Sequence, residues 1–373
     1  MYASATEPSR APPRYAAHVG PDLATATAAD GVTIAWTSFG TGPTLIHLPG
    51  VPFSNVEGEW RIPVLRDTFG ALGREVRLIQ YDGRGTGRSQ RDVTDLSLEA
   101  YVGDLDAVVE AAAVERVVLL GFYHSVTHAI AWAARHPERV RGLILFGGAL
   151  RGWDPMRGSG TQALLSLIER DWDTFVESAA HAWLGWPAGD EGRLAAEWFR
   201  ASTTPAVARA TLQAAYDIDV TEDAARVTAP ALVLHRADAT VIPFELSSEL
   251  ARALPAGRLE ILLGSSASLF FEGADQVAAR LIAFVRDPLA PAPATPAGHA
   301  AEPASTSPGS AGLSPRETDV LRLLAGGETN GQIAADLGIS INTVERHVSN
   351  LYRKIDARGR ADATAWAIRH GIA

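Results

Sequence analysis

Four residues close together in one segment, GFYHSVTH over 121–128, carry a phenol, a hydroxyl and two imidazoles: Tyr123, Ser125, His124 and His128. Acyl transfer needs a nucleophile, a base within hydrogen-bond reach and a third group to orient that base. Ser125 supplies a hydroxyl, but its one near candidate base in the sequence is His124, and adjacent residues on a helix do not face each other. A tyrosine phenol ionises near pH 10, and nothing beside Tyr123 would deprotonate it. His124 and His128 stand four apart, the spacing of two ligands on one helix face. No third ligand accompanies them, and packing is the plainer reading. No metal and no cofactor is expected.

A second group of residues lies in the last sixty. Val344, Val348, Leu351 and Ile355 recur at steps of four, three and four, the apolar stripe of a helix. The opposite face then carries Asn342, Thr343, Glu345, Arg346, His347, Asn350, Arg353 and Lys354. These side chains suit contact with base edges and phosphates.

The elements that must position these groups follow from periodicity. TLIHL (44–48), VRLIQY (76–81), RVVLLG (116–121), GLILFG (142–147), ALVLH (231–235) and RLEILL (258–263) are continuous apolar runs of strand length. Such runs suit strands buried on both faces of a parallel sheet. Helical patterns lie between them at 98–113, 129–136, 243–254 and 275–286, the alternation of an open α/β sheet. Residues 151–228 separate two strands by far more than a crossover needs. They read mostly as helix and hold Trp153, Trp172, Trp183, Trp186 and Trp198, which either pack a helical cap onto the sheet or cage a ligand.

Residues 1–24 are rich in Ala, Pro, Ser and Thr without periodicity and read as a disordered or extended arm. Residues 288–312 are dominated by Pro, Ala and Ser and read as a linker, with a reach of about 25–30 Å as a coil and roughly 75 Å if extended. The domain reading is therefore an arm at 1–24, a large domain at 25–287 with its cap at 151–228, the linker, and a tail domain at 313–373.

Several segments of the large domain resemble the α/β-hydrolase family, in order and across about residues 30–287. HLPGVP (47–52) resembles the loop that supplies an oxyanion-hole amide, and YDGRGTGRS (81–89) the family's Asp-x-Arg-Gly-x-Gly-x-Ser turn. VVLLGFYHSVTHAIAWAARHPERV (117–140) resembles the nucleophile elbow and the helix after it. The resemblance implies a mostly parallel sheet under a helical cap. It also assigns the catalytic positions, and there this chain departs from the family. Tyr123 stands at the nucleophile position, Ala239 in HRADATVIP (235–243) at the acid, with Asp238 one place early, and Ala267 in GSSASLFFE (264–272) at the histidine. Alanine neither takes a proton nor orients a ring. Removing a triad costs on the order of 10⁶ in turnover in one protease, so no hydrolase activity is expected. Arg84, Gly85 and Gly87 of the turn read as structural. What remains is a pocket lined by Val51, Phe53, Phe122, Tyr123, Trp153, Ala239 and Ala267, largely apolar in the manner of a small-molecule site.

The tail resembles the LuxR-type (GerE-like) helix-turn-helix along its whole length. Ser314 and Glu317 form a capping-box pattern with Pro315 at the first helical position. A second helix spans 330–337 and ends at Gly338, Ser340 caps the third, and a fourth at 361–370 offers a dimer surface. The resemblance makes the third helix the reader of the major groove. Asn342, Glu345 and Arg346 are then the base-edge candidates, and Thr343, Asn350, Arg353 and Lys354 the phosphate candidates.

Composition agrees. The chain has 373 residues, 47% hydrophobic and 20% charged, with no cysteine, which excludes disulfides and thiolate chemistry. No signal peptide or membrane helix is indicated, so a cytoplasmic protein is expected. The net charge of -10 is unevenly spread: residues 313–373 hold 8 basic and 7 acidic side chains, and the sole lysine, Lys354, is among them. The reading is a pseudoenzyme fused to a DNA-binding tail: a ligand-sensing transcription regulator that binds double-stranded DNA as a homodimer and answers to a small, largely apolar effector. Two alternatives stand beside it: a hydrolase that also regulates transcription, through Ser125, and a scaffold for a protein partner.

Overall fold

The computed structural model describes residues 20–50, 52–152, 165–184, 190–237, 239, 243–264, 266–290, 313–325, 328, 330–355, 357, 363, 366–367 and 372, without the side chains at 181–184, 190–193, 315, 325, 342, 349 and 353. The chain divides into two compact units at Pro291/Ala292.

The first unit is built on an eight-stranded sheet. Its strands are β1 Ala24–Thr27, β2 Thr33–Phe39, β3 Thr44–His47, β4 Arg77–Tyr81, β5 Val117–Phe122, β6 Val140–Phe146, β7 Ala231–Arg236 and β8 Gly257–Leu262, in spatial order β1-β2-β4-β3-β5-β6-β7-β8. From β4 to β8 all pairings are parallel, while β1 and β2 join at one edge in antiparallel fashion. All six expected strands are present. The pair β1–β2 was not expected, because its short alternating runs carry no continuous apolar signal.

Successive strand residues enter opposite cores, which is why the strands read as unbroken apolar runs. Ile46, Ile79, Val117, Leu119, Leu143, Leu145 and Val233 face α3 (Leu98–Ala111) and α4 (Ser125–Arg135). Leu45, Leu78, Val118, Leu120, Ile144, Leu232 and Leu234 face α2 (Pro63–Gly73) and the helix Ala274–Arg286. A short helix α1, Val56–Arg61, follows β3. The cap contributes α5 Leu167–Arg170, α6 Trp172–Leu184, α7 Asp190–Ser202, α8 Pro205–Ala215 and α9 Thr221–Arg226. Then come α10, Phe244–Ala253, and α11, Ala274–Arg286. Helix α4 begins four residues before its expected start at 129, because the elbow delivers the chain into it directly at Ser125.

The second unit holds α12 Pro315–Ala325, α13 Asn330–Leu337 and α14 Ile341–Lys354 around Val320, Leu321, Leu324, Ile333, Val344 and Leu351. The capping box forms in both directions: Ser314 N–H donates to Glu317 Oε2 at 2.7 Å and Glu317 N–H to Ser314 Oγ at 3.3 Å. Gly338 turns the chain at φ 62°, and Ser340 Oγ accepts from Thr343 N–H at 3.2 Å. Most of the expected fourth helix lies outside the described residues. Among the described residues, no helix is long and apolar enough to cross a membrane.

Candidate functional site

Strand β5 runs into a sharp turn at Tyr123, which sits at φ 54°. A left-handed backbone costs a non-glycine residue roughly 1–3 kcal/mol and persists only where its surroundings hold it. The approach of α4 to the sheet supplies that hold. A Cβ on Gly121 would lie 2.8 Å from the Ser125 carbonyl oxygen, and one on Gly148 2.4 Å from Val126 Cβ. The Tyr123 N–H donates to the Phe146 carbonyl at 3.0 Å. Its ring meets Phe146 edge-on at 6.3 Å, and its hydroxyl donates to the Ala267 carbonyl. Burial pushes the phenol further up from its ordinary pKa, so it stays protonated.

Ser125 is fully buried beneath this turn. Its hydroxyl donates to the Phe122 carbonyl at 2.9 Å and accepts from the Phe122 N–H at 3.0 Å, closing the elbow on itself. His124 is buried at the start of α4. His128 stacks on Tyr101 with ring centroids 4.5 Å apart, and burial lowers its pKa to about 3, so it is neutral. Among the described residues, no group of three or more candidate ligands that could hold a metal occurs.

Ala267 is buried and Ala239 half-buried, while Asp238, Val51 and Trp153 lie outside the described residues. Sequence reasoning missed the residue that organises the loop around Ala267. Arg236, only 2% exposed, donates from Nη1 to the Leu263 carbonyl at 2.6 Å and from Nη2 to those of Leu269 and Glu272 at 3.0 and 2.5 Å. It stands where the family's His-Gly-x-x-Asp segment has glycine, so the signal was the unexpected arginine itself.

Phe53 is buried and spends its ring on the cap, stacked on Phe199 at 4.1 Å with Phe175 at 6.2 Å. Trp172 and Trp198 extend this aromatic group through Phe175 and Phe199. Phe122 is half-buried and stacks on His47 at 5.0 Å. Burial lowers His47 to about 4. Beside it Gln80 accepts from Trp60 Nε1 at 2.9 Å and donates to Glu59 at 3.3 Å. Burial, and then the charge of Asp82, hold Glu59 well above the usual carboxylate range. Next to Tyr123, His124 and Gly148 the described residues enclose about 10 Å³, room for one water. A wider groove of about 690 Å³ opens between Ile62, Val64, Leu194 and Phe271, and none of the expected pocket residues that fall among the described residues lines it.

The turn at 82–89 is structural. Arg84, 1% exposed, grips Asp104 with Nε at 3.0 Å and Nη2 at 2.7 Å, and reaches Asp30 at 2.8 Å. Asp82 accepts the N–H groups of Val56 and Arg88, both at 2.7 Å.

On α14, Glu345 and Arg346 are exposed, and Thr343, His347 and Asn350 half-buried. The side chains of Asn342 and Arg353 lie outside the described residues. Lys354 is exposed, and its ammonium meets the buried carboxylate of Glu317 on α12 at 2.7 Å. That bond makes Lys354 a clamp between two helices of the tail, beyond the phosphate contact expected of it.

A parallel sheet, a strained strand-to-helix elbow and a helical cap together define the α/β-hydrolase fold. The solved esterase EaEST of Exiguobacterium antarcticum shares that fold with a TM-score of 0.62 at 20% identity, over 70% of this chain and 98% of that one. The model of the serine aminopeptidase family matches residues 65–272, and the chain belongs to that family. The RutD protein of Caulobacter sp. is 31% identical over 201 residues, 51% of this chain and 74% of that protein. Residues 311–367 match the luxR family of bacterial regulatory proteins. There the transcriptional regulatory protein MctR of Rhizobium johnstonii is 42% identical over 64 residues, 17% of this chain and 30% of that protein. The chain is thus a hydrolase-fold unit joined to a LuxR-type DNA-binding regulator domain.

Proposed function

We propose that the chain is a DNA-binding transcription regulator whose hydrolase-fold unit binds a small molecule without turning it over. The observation that carries this reading is the hydrogen bond from Tyr123 to the Ala267 carbonyl. At the nucleophile position stands a protonated phenol, and at the histidine position a methyl group whose backbone oxygen accepts from that phenol. No proton relay can run between them. Ser125 offers no detour, because both functions of its hydroxyl are taken by Phe122.

A ligand controls such a protein only through different affinity for two states. Tyr123 offers it a handle. An uncharged ligand with an ether or carbonyl oxygen can accept the phenol's hydrogen bond in place of the Ala267 oxygen and so release the loop that follows β8. On DNA, Arg346 and Glu345 read base edges together with Asn342, and Thr343, Asn350, Arg353 and Lys354 hold phosphates, on paired half-sites occupied by a homodimer.

The test pairs an ester-substrate panel with a thermal-shift screen of apolar, oxygen-bearing compounds, followed by operator binding with and without each hit. The expected result is no turnover above background, at least one stabilising compound, and a change in DNA affinity when it is present. Ester turnover that disappears in Ser125→Ala would replace this reading with a bifunctional hydrolase. A screen without hits and a co-purifying protein would replace it with a scaffold.

A further inference from the structure

The described structure begins at Gly20, and that end of the chain lies on α1: a Cβ on Gly20 would stand 3.3 Å from Trp60 Cβ. From Trp60 an aromatic row leads to α2 and to the loop after β8. The Trp60 ring lies 5.6 Å from that of Phe69, which meets Phe270 edge-on at 5.9 Å. Thr68 and Phe271, the chain neighbours of these two rings, line the groove of about 690 Å³. Ile62, Pro63, Val64, Leu194 and Phe271 give it an apolar wall. The charged side chains among its described lining, Asp67 and Asp275, are both acidic and exposed. Asp67 meets its neighbour Arg66 at 3.3 Å through one oxygen, and Asp275 enters no ion pair among the described residues. Residues 1–19 have the opposite balance, Arg10 and Arg14 against Glu7, and carry Pro12, Pro13 and Tyr15 around Arg14.

We propose that the segment 10–15 docks in this groove of its own chain, with Pro12, Pro13 and Tyr15 on the apolar wall, Arg14 toward Asp67 and Arg10 toward Asp275. The Pro-Pro pair presets a polyproline conformation, which enters an apolar groove bearing an aromatic side chain at low entropic cost. The reach is sufficient. In that conformation the six residues from Gly20 back to Arg14 cover about 19 Å. Asp67 lies at most about 17 Å from Trp60, three linking residues and then four helical ones away. Arg10 falls about 12 Å beyond Arg14, toward α11, which packs on α2 and carries Asp275. Attachment at the groove's rim gives the segment a local concentration of about millimolar. That favours it over the same segment of a second copy. Docked, it ties the cap at Leu194 to α2 and to the loop after β8 at Phe271.

Two measurements on the full chain test this. Trypsin cuts after Arg14 only when the segment is undocked, so the wild type is expected to be cut there at least about tenfold more slowly than a free peptide of residues 8–20. Arg10→Glu is expected to bring the rate back toward that of the peptide, and Arg10→Glu/Asp275→Lys to slow it again. Because the chain has no cysteine, and a Cβ on Gly70 of α2 meets nothing within 4 Å, Ala11→Cys/Gly70→Cys accepts a pair of spin labels. One narrow distance between them is expected. Cleavage of the wild type at the peptide's rate, a charge swap that restores no protection, or a broad distribution of distances would overturn the proposal. A narrow distance that vanishes on dilution with unlabelled chain would overturn it in favour of a second copy's segment.

Discussion

The hydroxyl of Tyr123 donates to the backbone carbonyl of Ala267 and so joins the two positions that the family resemblance assigns to nucleophile and histidine. The bond spans 144 residues of sequence and links the turn after β5 to the loop after β8. Tyr123→Phe keeps the ring and removes the donor. The buried carbonyl then loses its partner, and the chain should lose about 1–3 kcal/mol in denaturant unfolding. Amide exchange should rise in the loop at 263–272, and a loop whose exchange stays unchanged would show that the phenol does not hold it.

Ser125→Ala separates a structural hydroxyl from a catalytic one. It leaves both the N–H and the carbonyl of Phe122 short of a partner. Stability should fall by about 1–3 kcal/mol, while ester hydrolysis stays at the same background as the wild type.

Arg84→Met strands the carboxylate of Asp104, which is fully buried and which burial already pushes up to about 6 against the pull of Arg84. Breaking a buried pair from one side costs about 3–5 kcal/mol. The variant should unfold at a much lower denaturant midpoint, or fail to accumulate in soluble form. The double change Arg84→Met/Asp104→Leu should recover most of the loss.

Glu317 gives the tail its own acid sensitivity. Its burial raises the carboxyl, but hydrogen bonds from Lys354 and Ser314 outweigh that and bring it down to about 2. A carboxylate lowered in the folded state stabilises above its unfolded pKa, about 4.5, and loses that contribution as pH falls toward 2. In the full chain, protection of tail amides should therefore decline below about pH 4.5. Lys354→Met should weaken the tail at neutral pH and flatten that decline.

Arg346→Ala should lower affinity for the cognate operator by about 1–3 kcal/mol and relax sequence preference at one position, as measured by titration at fixed salt. Equal affinity for all sites before and after the change would remove Arg346 from the base-reading set.

Much of this architecture was legible in one dimension because local rules and burial agree. Strands β3 to β7 announce themselves since both faces are covered, and the tail's caps at Ser314, Gly338 and Ser340 are local events that need no distant partner. The strands β1 and β2 were not legible, because an antiparallel edge pair buries too little for an unbroken apolar run.

On the proposed reading, residue type alone decides which reactions the cleft lacks: a phenol and two methyl groups at the positions the family resemblance assigns cannot pass a proton, however they are arranged. Where the remaining groups point was decided only in three dimensions. Ser125 turns under the elbow, Phe53 gives its ring to the cap, Arg236 straps a loop 27 to 36 residues away, and Lys354 reaches back 37 residues to Glu317. Each of these bonds is made by the folded backbone bringing distant segments within about 3 Å, a distance that spacing along the chain does not encode.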